Sequence, residues 1–298
     1  MLQAILSNND VVGTVSEPWL LLPFLSFSRT DLVQAKYDGE LANHGVLDFK
    51  SKVGAEGFDQ DLANFLVKQY SKLLKNNETH ILDKTPRYYE ILPEIMHFFP
   101  NAKIIVLKRN PMAVLYSIIK TWNTESLKSL LEYKRDLLQA PFILHQFSEE
   151  QKKNPNVLTV HYESVIDNPS KEIQMIYNWL NIPFKEAYLD YGNNQKYKGL
   201  FGDPTGVEKD HLPNTNSLEK WKAIYRNPEW KELATGYADY LSKNFLGAYG
   251  DYDGIAFNNS KLFNRFHQMS QWNFDEVKIP KIKLFQNAIL RRLGMIKD

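Results

Sequence analysis

The 298 residues carry 36 basic and 35 acidic side chains, a formal charge of +1, so nothing global marks nucleic acid or an acidic partner as the ligand. Cysteine is absent, which excludes disulfides, thiolate metal sites and a cysteine nucleophile, and fits a cytoplasmic setting. The seven histidines show no metal-ligand spacing, and the longest apolar run, Trp19 to Leu25, is interrupted by Pro23 and far too short to span a bilayer.

The opening places Met1, Leu2, Ile5 and Leu6 at helical spacing before the breaker Asn8-Asn9-Asp10, with no basic flank of the kind a signal peptide carries. Val11, Val12 and Val15 predict a short strand. Ser16-Glu17-Pro18 then offers the cap and first-turn proline of a helix beginning at Trp19. From Tyr37 to Gly57 the chain reads as loop, and Phe58, Leu62, Phe65, Leu66, Leu73 and Leu74 mark an amphipathic helix. Thr79 to Leu82 predicts a brief strand. Thr85 is expected to cap, and Pro86 to start, a helix with the apolar stripe Tyr88, Leu92, Ile95, Met96 and Phe99, which sets Lys84 at a strand-to-helix joint.

The stretch Lys103 to Trp122 repeats that joint more clearly. Ile104, Ile105, Val106 and Leu107 suit a strand buried on both faces. Arg109 stands at its end, with Asn110 as N-cap and Pro111 as first residue of a helix through Val114, Leu115, Ile118 and Ile119. In an open parallel sheet, ligands sit beyond the carboxyl ends of the strands, where helix N-termini favour anions. Arg109 is therefore placed to meet a phosphate, with Ser117 about two helical turns on and roughly on the same side. The plainer alternative is an arginine that caps a helix or meets a surface carboxylate, and a serine that faces solvent.

A long helical region is expected from about 125 to 150. Val157 to Val160 supplies another strand, with His161-Tyr162-Glu163 at its tip, and Asn168-Pro169 begins a helix through Ile173, Ile176 and Leu180. The alternation predicts an α/β fold, three layers α/β/α around a mainly parallel sheet. Tyr188 to Thr215 reads as loop, Asn216 to Glu219 has capping-box spacing, and Asn227-Pro228 opens a helix toward Leu241. The whole chain reads as one domain, with a C-terminal helical extension over 243–298 whose basic end suits a docking helix, or less readily a membrane surface.

The stretches "VSEPWLLLP", "DKTPRYYEILPEI", "PNAKIIVLKRNPMAVLYSIIKTW", "VLTVHYESVIDNPSKEIQMIYNWLNIPF" and "SLEKW" together resemble the sulfotransferase family, in the order that family shows and nearer its bacterial and protein-tyrosine branch. The resemblance implies a P-loop NTPase-like fold. It also implies transfer of a sulfonate from 3′-phosphoadenosine 5′-phosphosulfate to a hydroxyl or amine of a small-molecule, carbohydrate or peptide acceptor, a transfer that requires no metal if a lysine meets the charge growing on the sulfonate oxygens. By that resemblance Arg109 and Ser117 match the 3′-phosphate ligands, Tyr162 a tyrosine beside the adenine, Lys84 a lysine at the transferred sulfonate, and Glu17 the general base. Each has a structural alternative: a helix-start carboxylate for Glu17, a surface charge for Lys84, a core aromatic for Tyr162.

Two departures stand out. The family's first strand and the Ser/Thr-Gly-rich loop that cradles the 5′-phosphosulfate have no counterpart, and no G-x-x-x-x-G-K occurs, so the expectation is a late or truncated start. A late basic loop is also unmatched, with Lys209, His211 and Asn214 nearby. Two other functions remain open on sequence: a non-catalytic nucleotide-binding relative, and a metal-dependent glycosyltransferase using Asp251 and Asp253 of an Asp-x-Asp turn.

Overall fold

The computed structural model describes residues 1–29, 39–75, 77–122, 124, 126–192, 211–215, 218–250 and 252–271. Its opening unit is a short helix α1 (Leu2–Leu6) and strand β1 (Val12–Thr14). The helices α2 (Leu21–Leu25), α3 (Gly39–Val53) and α4 (Ala55–Ser71) precede β2 (His80–Leu82). A 3₁₀ segment, Pro86–Ile91, runs into α5 (Leu92–Phe98), then β3 (Ile104–Lys108) and α6 (Pro111–Thr121). After α7 (Leu127–Leu130), α8 (Lys134–Leu138) and α9 (Ala140–Glu150) come β4 (Val157–His161), α10 (Tyr162–Asp167) and α11 (Pro169–Leu180). The described part closes with α12 (Pro228–Leu241), α13 (Lys243–Gly247) and α14 (Lys261–Gln271).

The strands are all parallel, as expected of an α/β fold, but they form two pairs. β1 lies beside β2 with Thr14 opposite Leu82, and β3 beside β4 with Lys108 opposite His161. Among the described residues no ladder joins the pairs, so the single sheet expected from the alternation appears as two ribbons. β3 is also less enclosed than its apolar run predicts: Val106 and Lys108 are buried, whereas Leu107 keeps 37% of its surface.

Among the described residues, four apolar clusters pack around these ribbons. The largest joins α6 to α12 and α14 through Met112, Leu115, Leu233, Tyr237, Phe263 and Phe266. Gly236 permits that approach, because a Cβ there would lie 2.5 Å from the Cβ of Phe263 and 2.6 Å from that of Ser260. Beneath β1 and β4, Ile5, Val160, Ile173 and Ile176 surround Tyr177, whose hydroxyl donates to the Ile5 and Leu6 carbonyls that the end of α1 leaves open. Each such fully buried side chain contributes about 1.5–3 kcal/mol.

Several expected elements differ. Tyr37 to Gly57, read as loop, is helical from Gly39, with Gly54 at φ +93° separating α3 from α4. Leu47, Phe49 and Val53 on α3 stay half exposed, so the helix buries no apolar stripe that a pattern could register. The long helix from 125 to 150 is broken into α7, a 3₁₀ turn at Leu131–Tyr133, α8 and α9, because Pro141 in the first turn of α9 cannot donate to a preceding turn. The capping box at Asn216, the tail beyond Gln271, Lys209 and Asp251 lie outside the described residues.

Candidate active site

Parallel register sets which residues leave the strands together. Past Thr14 and Leu82 the two chains run on to Glu17 and Lys84, and these form an ion pair. The carboxylate side chain is 11% exposed and the ammonium side chain 40%, so the pair faces solvent from the lysine side. Thr14 Oγ1 fastens the same end by donating to the Leu82 carbonyl at 2.6 Å.

The turn carrying Glu17 does not start a helix at Trp19 as expected. Trp19 takes φ +52°, a left-handed conformation that costs a bulky residue about 1–3 kcal/mol, and the helix begins two residues later. Its N–H points to Thr85 Oγ1 at 3.4 Å, and the Leu21 N–H to the Tyr88 hydroxyl at 3.1 Å. Thr85 therefore does not cap Pro86–Ile91: its hydroxyl donates instead to Asp83 Oδ1 at 3.0 Å. Asp83 Oδ2 accepts from Tyr88 at 2.8 Å and also from Tyr70 of α4. Burial pushes the Asp83 carboxyl above its usual range, against the Tyr70, Tyr88 and Thr85 hydroxyls and Lys84, which pull it down. Burial, and then Asp83 itself, pushes both tyrosines upward.

At the other ribbon, Lys108 opposite His161 places Arg109 beside Tyr162. The guanidinium carbon stands 4.4 Å from the ring centroid, a cation–π arrangement. Arg109 Nε is buried without a hydrogen-bond partner, and Arg109 forms no ion pair among the described residues. Asn110 caps α6 as expected, its Oδ1 accepting from the Met112 N–H at 2.8 Å, while its own N–H donates to Glu163 Oε1 at 2.9 Å. Ser117 lies two turns along α6, half-buried. An uncompensated guanidinium at a strand tip, beside a helix N-terminus and an aromatic face, suits an anion attached to a ring.

Behind Arg109, Lys108 is 3% exposed and donates to His145 Nδ1 at 3.2 Å and the Ala248 carbonyl at 3.1 Å, over the Tyr249 ring at 4.2 Å. Burial lowers its pKa, with Glu149 opposing. A cavity of about 550 Å³ opens beyond β4, and Glu163, Asp167, Glu219 and Asp253 line it with Trp221 and Tyr249. Four carboxylates make it a poor host for phosphates.

The structure thus brings together Glu17 with Lys84, and Arg109 with Tyr162, on the strand ends expected of them. It also adds Asp83, to which the sequence pattern assigned no role, and Thr85 and Tyr88, expected as a helix cap and part of an apolar stripe; the one signal was a carboxylate next to the lysine at a strand-to-helix joint. Of the late-loop residues, His211 Nδ1 stands 3.9 Å from Asp190, remote from any role assigned above. Asp253 is described, and the described residues hold no group of three His, Asp or Glu arranged for a metal.

The sequence profile of the Sulfotransferase family matches residues 1–186. A putative protein-tyrosine sulfotransferase of Caenorhabditis elegans is 24% identical over 284 positions, covering 87% of this chain and 99% of that protein. Nodulation protein NoeE of Sinorhizobium fredii is 24% identical over 243 positions, covering 74% of this chain and 57% of its own length. Among solved structures, the sulfotransferase domain of the curacin biosynthetic pathway superposes with a TM-score of 0.51 at 18% identity over 91% of this chain and 93% of its own. That of the Synechococcus PCC 7002 olefin synthase superposes at 0.52 and 21% identity, over 74% and 82%. These structural likenesses establish the fold.

Proposed function

The chain belongs to the sulfotransferase family, and from that premise we propose that it transfers a sulfonate from 3′-phosphoadenosine 5′-phosphosulfate to an acceptor hydroxyl. The pairing of Glu17 with Lys84 at one ribbon end carries this reading, since in-line sulfonate transfer needs a base and a fixed cation side by side. The donor supplies a sulfonate already activated on a phosphate leaving group. Glu17 accepts the acceptor's proton as its oxygen bonds to sulfur. Lys84, released from the carboxylate, stabilises charge on the sulfonate oxygens while the bond from sulfur to the phosphate oxygen breaks. A lysine in that place does the work a metal does in other group transfers.

Arg109 and Ser117 hold the 3′-phosphate, and Tyr162 flanks the adenine. The buried, unpartnered Nε of Arg109 and its stacking on Tyr162 support this assignment, because a phosphate would satisfy the first and leave the ring beside the nucleoside. The acceptor is a tyrosine hydroxyl in a peptide, a reading supported by the name of the C. elegans relative. Incubation with sulfur-labelled donor and a tyrosine-bearing peptide tests the proposal. Label on the peptide is the expected result; tight binding of 3′-phosphoadenosine 5′-phosphate with no transfer to any acceptor would return the chain to a nucleotide-binding role.

A further inference from the structure

We propose that Asp83 is a positioning residue that holds the turn of Glu17 in place through the hydroxyls of Thr85 and Tyr88. This rests on the reading of Glu17 and Lys84 given above. A carboxylate only accepts, so the Thr85 and Tyr88 hydroxyls spend their single protons on Asp83, at 3.0 and 2.8 Å. Their lone pairs are then turned outward. Thr85 accepts the Trp19 N–H at 3.4 Å, and Tyr88 the Leu21 N–H at 3.1 Å. Without that polarity each hydroxyl could equally point its proton at the amide, where it would repel. The two amides belong to the segment that leaves Glu17, and Trp19 within it sits at φ +52°, a conformation that persists only when its surroundings impose it. The same Asp83 precedes Lys84 in the chain, so one half-buried carboxylate adjoins both members of the ion pair. Tyr70, the third donor to Asp83, bonds neither amide and serves as an internal control.

Two measurements test this. In amide hydrogen exchange on the folded protein, Thr85→Val should speed exchange at Trp19, Tyr88→Phe at Leu21, and Asp83→Asn at both, each by about tenfold or more. Thr85→Ser, which keeps the hydroxyl, should restore protection. In the labelled-transfer assay, Asp83→Asn, Thr85→Val and Tyr88→Phe should each lower kcat by about tenfold or more and leave the Kd for 3′-phosphoadenosine 5′-phosphate within twofold, whereas Tyr70→Phe should cost kcat several-fold less than Tyr88→Phe. Unchanged exchange at both amides, or equal kcat losses for Tyr70→Phe and Tyr88→Phe, would overturn the inference. If Glu17→Ala and Lys84→Ala leave kcat untouched, the catalytic reading fails instead, and the exchange measurement still decides whether Asp83 orders the turn.

Discussion

Arg109 stacks on Tyr162 at 4.4 Å because each is the first residue past a matched strand end, Lys108 of β3 and His161 of β4. The contact is therefore fixed by backbone register before any ligand arrives, and a ligand need not order the arginine.

Loss of that arginine should show in affinity. Arg109→Ala is expected to weaken 3′-phosphoadenosine 5′-phosphate by about 10- to 100-fold, the range for a charged hydrogen bond of about 1.5–3 kcal/mol. Calorimetric titration checks it, and an unchanged Kd would remove Arg109 from the site. Tyr162→Phe keeps the ring and should leave affinity near the parent value, while Tyr162→Ala should not.

Turnover should respond at the other ribbon. Glu17→Ala and Lys84→Ala are each expected to lower kcat by about 100-fold or more with nucleotide affinity little changed, since in the proposed mechanism one accepts a proton and the other meets charge that develops only during transfer. The double variant should lose little beyond the worse single one, because the two act on one event. Steady-state kinetics on all three proteins settles the point.

Stability should depend on pH through His145. Burial, and then the charge of Lys108, lowers the pKa of this ring. The unfolded chain takes up the proton first, so stability is expected to fall as pH drops below about 6.5, the ordinary histidine value, until the folded ring titrates as well. The loss of Tm between pH 7 and pH 5 should shrink in His145→Gln, whose amide oxygen can still accept from Lys108. An identical loss in both proteins would assign the slope elsewhere.

Packing between α12 and α14 should tolerate no side chain at Gly236. Gly236→Ala sets a Cβ against backbone-proximal atoms of Phe263 and Ser260 that have no freedom to swing away. A destabilisation of about 1–3 kcal/mol, read from denaturant midpoints, is expected. A neutral result would mean that α14 shifts readily on its neighbour.

Strand β3 and helix α6 were legible because their signals are local: an apolar run, then Asn110 and Pro111, which cap and start α6. The same holds for Asn227 at α12. What could not be read depends on partners far along the chain. Thr85 and Pro86 look like a cap and first turn, yet the hydroxyl goes to Asp83 because Trp19 and Tyr88 converge there. The α3 helix was not legible because Leu47, Phe49 and Val53 on it stay half exposed, and the division into two ribbons follows from hydrogen bonding that periodicity does not encode. The candidate site residues were read from motifs, and the register of the strands explains why Glu17 meets Lys84 and Arg109 meets Tyr162 in space.

The division into two ribbons has a consequence for how such a chain can diversify. In the function proposed here, gripping the donor and activating the acceptor fall to different strand pairs, with no hydrogen-bonded ladder between them among the described residues. On that proposal, substitutions in the Trp19 turn beside Glu17 would act on the acceptor side and leave Arg109 and Tyr162 undisturbed. A lineage could thus change what it modifies while keeping the same donor.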